Sequence, residues 1–180
     1  MRHRATTMAA TAIATTSLAL AGVGTSAAQA STTCTWGGTP AAPTGTFTLS
    51  PGLTNTPSSG PLAFRAAGTV SGGGPCRGQR FTFDGVFNPG SSCQLLSGQG
   101  RAEGLPGVVR FAGAFGGFGS GPVVPVLLYD RAGNVVGVEN ADILTPANLP
   151  HLADCGTHQG FTGGSFSSVI ELFRTSAGAS

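Results

Sequence analysis

Along most of the chain, apolar and polar residues alternate one by one, the period of a β-strand with one buried face. Phe47 and Leu49 alternate with hydroxyl residues between Thr46 and Ser50. Leu62, Phe64, Ala66 and Val70 share a face, with Arg65, Thr69 and Ser71 on the other. A strand is predicted over Gln79 to Phe87, with Phe81, Phe83 and Phe87 opposite Arg80, Thr82 and Asp84. From Gln94 to Ala102 the small or apolar set is Leu96, Gly98, Gly100 and Ala102, and from Val108 it is Val109, Phe111 and Phe115. Thr162 to Arg174 ends the pattern, with Phe166, Ile170 and Leu172 aligned.

The densest apolar stretch, Val123 to Ile143, reads as a hairpin. Val124, Val126 and Leu128 point one way, and Leu127 and Tyr129 the other, which predicts a strand covered on both faces. Asp130-Arg131-Ala132-Gly133 forms the turn, with Gly133 supplying φ > 0. Val136 and Val138 return on one face. The expected fold is all-β, with about eight antiparallel strands in a single sandwich or barrel. No stretch keeps a helical period, although Thr145-Pro146 suits the start of one short helical turn before His151.

The first thirty residues break the pattern. Arg2, His3 and Arg4 precede an uncharged run from Met8 to Val23, and Ala28-Gln29-Ala30 matches a small-x-small cleavage site. Met1 to Ala30 is therefore expected to be a signal peptide, and residues 31–180 a single secreted domain. The uncharged run is too short and too rich in Ala and Thr for a transmembrane anchor. Export makes the cysteines informative. Cys34, Cys76, Cys93 and Cys155 are even in number, which implies two disulfides. A strand of roughly 30 Å, at about 3.3 Å per residue, separates Cys76 from Cys93 and argues against joining them. Cys34–Cys76 with Cys93–Cys155 is favoured over Cys34–Cys93 with Cys76–Cys155.

Composition narrows the partners. From Ser31 onward, seven Arg balance seven Asp and Glu, and the chain has no Lys. Such a surface gives no electrostatic basis for binding nucleic acid or an anionic membrane. The 30 Gly raise the question of disorder, but 11 Phe at strand spacing oppose it.

The segments around Cys34, Ser50-Pro51-Gly52-Leu53-Thr54, Gly68-Thr69-Val70, Cys76 and Gly90-Ser91-Ser92-Cys93 resemble small exported actinobacterial β-rich proteins of unassigned function. Ala41-Ala42-Pro43-Thr44 and Gly52-Leu53 also resemble secreted apoproteins that carry enediyne antibiotics in an immunoglobulin-like sandwich. Cysteine spacing departs from that second group, and no ligand site is carried over from it.

Few residues carry chemistry. A P-loop lysine is missing, and the glycine run from Gly113 to Gly121 lacks the dinucleotide fingerprint. That run reads as a loop whose Phe115 and Phe118 form an apolar lip for a ligand. Trp36, a ligand-binding candidate, either stacks on a sugar or, as tryptophans more commonly do, sits in the core or closes one end of the barrel. His151, Asp154, Cys155 and His158 form the densest polar cluster. They suggest a metal site or a catalytic base, unless Cys155 is tied up in a disulfide. Glu139 and Asp142 should face opposite ways, and Arg101 with Glu103 reads as a surface ion pair. The expected function is binding of a small apolar ligand or a protein, without catalysis, metal or cofactor. The alternatives are a small secreted hydrolase or metal-dependent enzyme using His151, Asp154 and His158, and a protease inhibitor presenting Pro89 to Cys93.

Overall fold

The computed structural model describes the backbone of residues 31–116, 123–143 and 145–173, and the side chains of these residues except 114–116, 123 and 124. The expected signal peptide and Phe118 lie outside the described residues, as does the side chain of Phe115.

Among the described residues eleven strands run in chain order: β1 (Ser31–Trp36), β2 (Gly38–Thr39), β3 (Ala42–Pro43), β4 (Gly45–Leu53), β5 (Leu62–Gly72), β6 (Arg80–Phe87), β7 (Leu95–Glu103), β8 (Arg110–Gly116), β9 (Val123–Tyr129), β10 (Val135–Asp142) and β11 (Phe161–Phe173). Each of β4 to β11 pairs antiparallel with the next, and β11 returns to β4. The sheet is thus an eight-stave antiparallel barrel, which decides between the two architectures the alternation allowed. One stave has two pieces. β4 pairs with residues 161–166 of β11 and residues 63–67 of β5, while β1 continues the same stave against residues 168–173 and 70–72. The β2–β3 hairpin is the excursion between the pieces.

Closure leaves no long unpaired edge. It also turns one face of every stave inward, so the alternation in sequence becomes an inside and an outside. Phe47, Leu49, Leu62, Ala66, Val70, Phe81, Phe83, Leu96, Phe111, Val126, Leu128, Phe166 and Ile170 are all buried. Arg65, Asp84 and Arg101 oppose one another across β5, β6 and β7 on the outside, with Arg65 Nε 2.8 Å from Asp84 Oδ2. Charged outside and apolar inside is the reverse of a membrane-spanning barrel. Among the described residues no helix is long and apolar enough to cross a membrane.

Both favoured disulfides are present, Cys34–Cys76 and Cys93–Cys155. The first ties β1 to the turn after β5. The second ties the β6–β7 connection to a 3₁₀ helix at Leu149–Gly156. That helix begins later than Thr145-Pro146 suggests. Thr145 instead makes a turn, with its carbonyl accepting from the Asn148 and Leu149 amides. Asn148 then acts as a surrogate strand. Its Nδ2 donates to the Ile143 and Ser165 carbonyls, and its Oδ1 accepts from the Ser165 amide at 2.9 Å. The amide side chain satisfies the part of β11 that β10 does not reach.

Three sequence expectations are corrected. The β9 strand is not covered on both faces, because Leu127 is 42% exposed; a barrel stave has only one inner face. Val109 lies before β8 and is 37% exposed, while Val108 takes the buried position. The third is a bulge in β10. Val135 pairs with Tyr129 and Gly137 with Leu128, so Val136 is an extra residue. The bulge resets which face is inner, so Val138 is only half-buried and Glu139 takes the core face. The turn itself is as expected. Gly133 has φ +88°, and Asp130 accepts from the Asn134 amide at 2.8 Å.

Candidate functional site: an apolar cavity with one carboxyl

The barrel interior is filled unevenly. Val70, Phe81, Ala102, Leu105, Leu128 and Ile170 belong to the buried core without lining the cavity. The barrel interior holds a cavity of about 70 Å³. One ordered water needs roughly 10–15 Å³, so the space is several times larger than a hydration site.

Trp36 lines the cavity and packs against that core at Phe81. Its ring is 1% exposed, and its Nε1 donates to the Phe81 carbonyl at 3.1 Å. Phe81, Phe83 and Phe166 meet it edge-on, with centroids 4.9, 4.8 and 4.5 Å away. Phe83 stacks on Phe111 at 4.2 Å. The wall opposite owes its shape to glycine. A Cβ at Gly98 would lie 2.6 Å from the Phe87 ring, and one at Gly100 would lie 2.8 Å from the Phe111 ring. The two glycines let the phenyl rings of Phe87 and Phe111 lie close against β7. Leu49, Leu53, Leu96 and Ile143 line the rest towards the mouth.

Among the described residues, one ionisable group faces this space. Glu139 follows from the β10 bulge, since Glu139, Ala141 and Ile143 all line the cavity. The side chain is 1% exposed, and Oε1 has no hydrogen-bond partner. Val126 on β9 and Ile170 on β11 flank it directly. Ser168, diagonal to it on β11, favours the ionised form, yet its Oγ lies outside hydrogen-bond reach of any partner. Burial dominates and pushes the carboxyl pKa up to about 8. At neutral pH Glu139 is a neutral carboxylic acid in apolar surroundings.

Of the sequence-derived candidates, Trp36 lines the cavity, Phe118 and the side chain of Phe115 lie outside the described residues, and the His151–His158 cluster lies elsewhere. His151 Nδ1 lies 3.6 Å from Asp154 Oδ2 on the exposed 3₁₀ helix, and His158 is exposed beyond it. Cys155 is in a disulfide, and among the described residues no group of three or more His, Cys, Asp or Glu is placed to hold a metal ion. Arg101 Nε and Glu103 Oε1, 3.1 Å apart, form an exposed surface pair. In the Pro89-to-Cys93 segment Ser91, Ser92 and Cys93 are buried, and Cys93 N donates to the Thr54 carbonyl. Glu139 escaped the sequence reading because alternation from Val136 and Val138 placed it outside. Gly137, the small residue at the bulge, was the signal that the alternation would slip.

Comparison with protein-family models, curated proteins and solved structures gave no significant match.

Proposed function

We propose that the domain is an exported binding protein that takes a small apolar ligand into the barrel interior. The carrying observation is the cavity itself, an apolar space inside the barrel lined largely by aromatic and aliphatic side chains. Native interiors are close-packed, and a void forfeits dispersion contacts on every wall, so one of this size is costly unless something fills it. Ligand sites of this kind are largely pre-formed and apolar with few polar groups.

Trp36 is the chain's single tryptophan and reports on its own site. Indane, a rigid bicyclic hydrocarbon, is a suitable probe. Titration should change Trp36 emission and give saturable heat by calorimetry. Filling the cavity through Ala141→Leu or Ala66→Leu should abolish both signals while the melting transition persists. Indane binding that survives both substitutions would refute an interior site.

A second reading rests on Glu139. A buried carboxyl that titrates near neutral pH meets the condition for general acid–base catalysis on an apolar substrate. Glu139→Gln would then abolish turnover and leave binding. The enzyme built on His151, Asp154 and His158 has less support, since these side chains lie on an open surface. A protease inhibitor has less as well, because in the Pro89-to-Cys93 segment only Pro89 and Gly90 are exposed while Ser91, Ser92 and Cys93 are buried.

A further inference from the structure

Resting on the interior-site reading, we infer that Glu139 is the anchor for an apolar ligand carrying one hydrogen-bond acceptor, a carbonyl or ether oxygen, to which the carboxylic acid donates. The geometry has two parts. The Glu139 carboxyl is almost wholly buried, lines the cavity and leaves Oε1 without a partner. Buried polar groups ordinarily find partners, and an orphan costs free energy that a ligand would recover. Among the described residues no other charged or titratable side chain lines the cavity. Val126 and Ile170 flank Glu139 from the adjacent strands, Ser168 is its polar neighbour, and Phe83 and Phe111 are among the cavity's other walls.

The protonation state selects the ligand. With no cation near it among the described residues, ionising Glu139 would strand a charge in an apolar space, so the neutral acid is the resting form. A neutral acid donates to an acceptor without burying any charge. An ammonium ligand would need both ions desolvated, and their attraction only roughly offsets that cost. The expected ligand is therefore neutral, mostly hydrocarbon, with its single oxygen at the end that reaches β10.

The test uses three probes of one shape: indane, 1-indanone and 1-aminoindane. On the wild-type protein near pH 6, 1-indanone should bind roughly five- to tenfold more tightly than indane, the value of one hydrogen bond, and more tightly than the amine. Glu139→Gln keeps a donor and should keep the preference. Glu139→Leu should bring 1-indanone down to the affinity of indane while indane still binds. Wild-type affinity for 1-indanone should fall as pH rises past about 8, and the glutamine variant should be flat. A ketone no better than the hydrocarbon, a preference that survives Glu139→Leu, or tighter binding of the amine would overturn the inference. If indane itself fails to bind, the interior-site reading fails instead.

Discussion

Replacing Glu139 with glutamine should stabilise the protein, and by an amount that depends on pH. In the unfolded chain the carboxyl ionises near 4.5; in the barrel it holds its proton up to about 8. Folding therefore requires proton uptake between these values. Below about pH 4.5 both states are protonated, and Glu139 imposes no pH-linked penalty. As pH rises from about 4.5 to about 8, the unfolded state alone ionises, and stability falls by about 1.4 kcal/mol per pH unit. The full loss is on the order of 5 kcal/mol, with roughly 3 kcal/mol already lost at pH 7. A glutamine side chain at this position fills nearly the same volume and cannot ionise. Urea unfolding of both proteins at several pH values between about 4 and about 9 measures the difference. The two should coincide at the acid end and diverge steadily, with the variant the more stable. Subtraction cancels the other titrating groups, including Asp130, whose pKa is lowered by its hydrogen bonds with Asn134. Parallel profiles would refute the buried, neutral carboxyl.

Other expectations are as direct. Gly133→Val forces a branched side chain into a left-handed conformation and should cost roughly 1–2 kcal/mol, while Arg131→Ala at the exposed turn should be nearly neutral; melting curves of both decide. His151→Ala combined with His158→Ala should leave stability and indane binding unchanged, since both side chains are exposed; loss of binding by calorimetry would move the site to the 3₁₀ helix. Non-reducing peptide mapping should recover Cys34–Cys76 and Cys93–Cys155, each contributing on the order of 2–4 kcal/mol. N-terminal sequencing of protein collected from culture medium should begin at Ser31, and a start at Met1 would contradict processing after Ala30.

Much of the barrel was legible because its physics is local. A stave with one buried face must alternate, and Phe81, Phe83 and Phe87 or Phe166, Ile170 and Leu172 carry that signal without reference to any partner. Strand length acted as a ruler that excluded joining Cys76 to Cys93 but left two connectivities open, of which the favoured one is present. Closure was not legible, since the pairing of β11 with β4 joins segments a hundred residues apart and leaves no mark in either. The split stave shared by β1 and β4 was hidden for the same reason. The cavity was least legible of all. It depends on Gly98 and Gly100 letting rings lie flat, and on one inserted residue in β10 that turns Glu139 from the outer face to the inner. Alternation assumes an unbroken pleat, and the residue that matters most sits just past the break.

Crystallising the protein with 5-bromoindane and mapping the bromine by its anomalous scattering tests the central claim most directly. Bromine carries a unique signal, so the position of the probe does not depend on interpreting weak density. One dominant peak is expected inside the barrel, bounded by Trp36, Phe111 and Glu139. A peak confined to the outer surface, for example against exposed Leu95 or Leu127, with the interior empty of bromine, would contradict it.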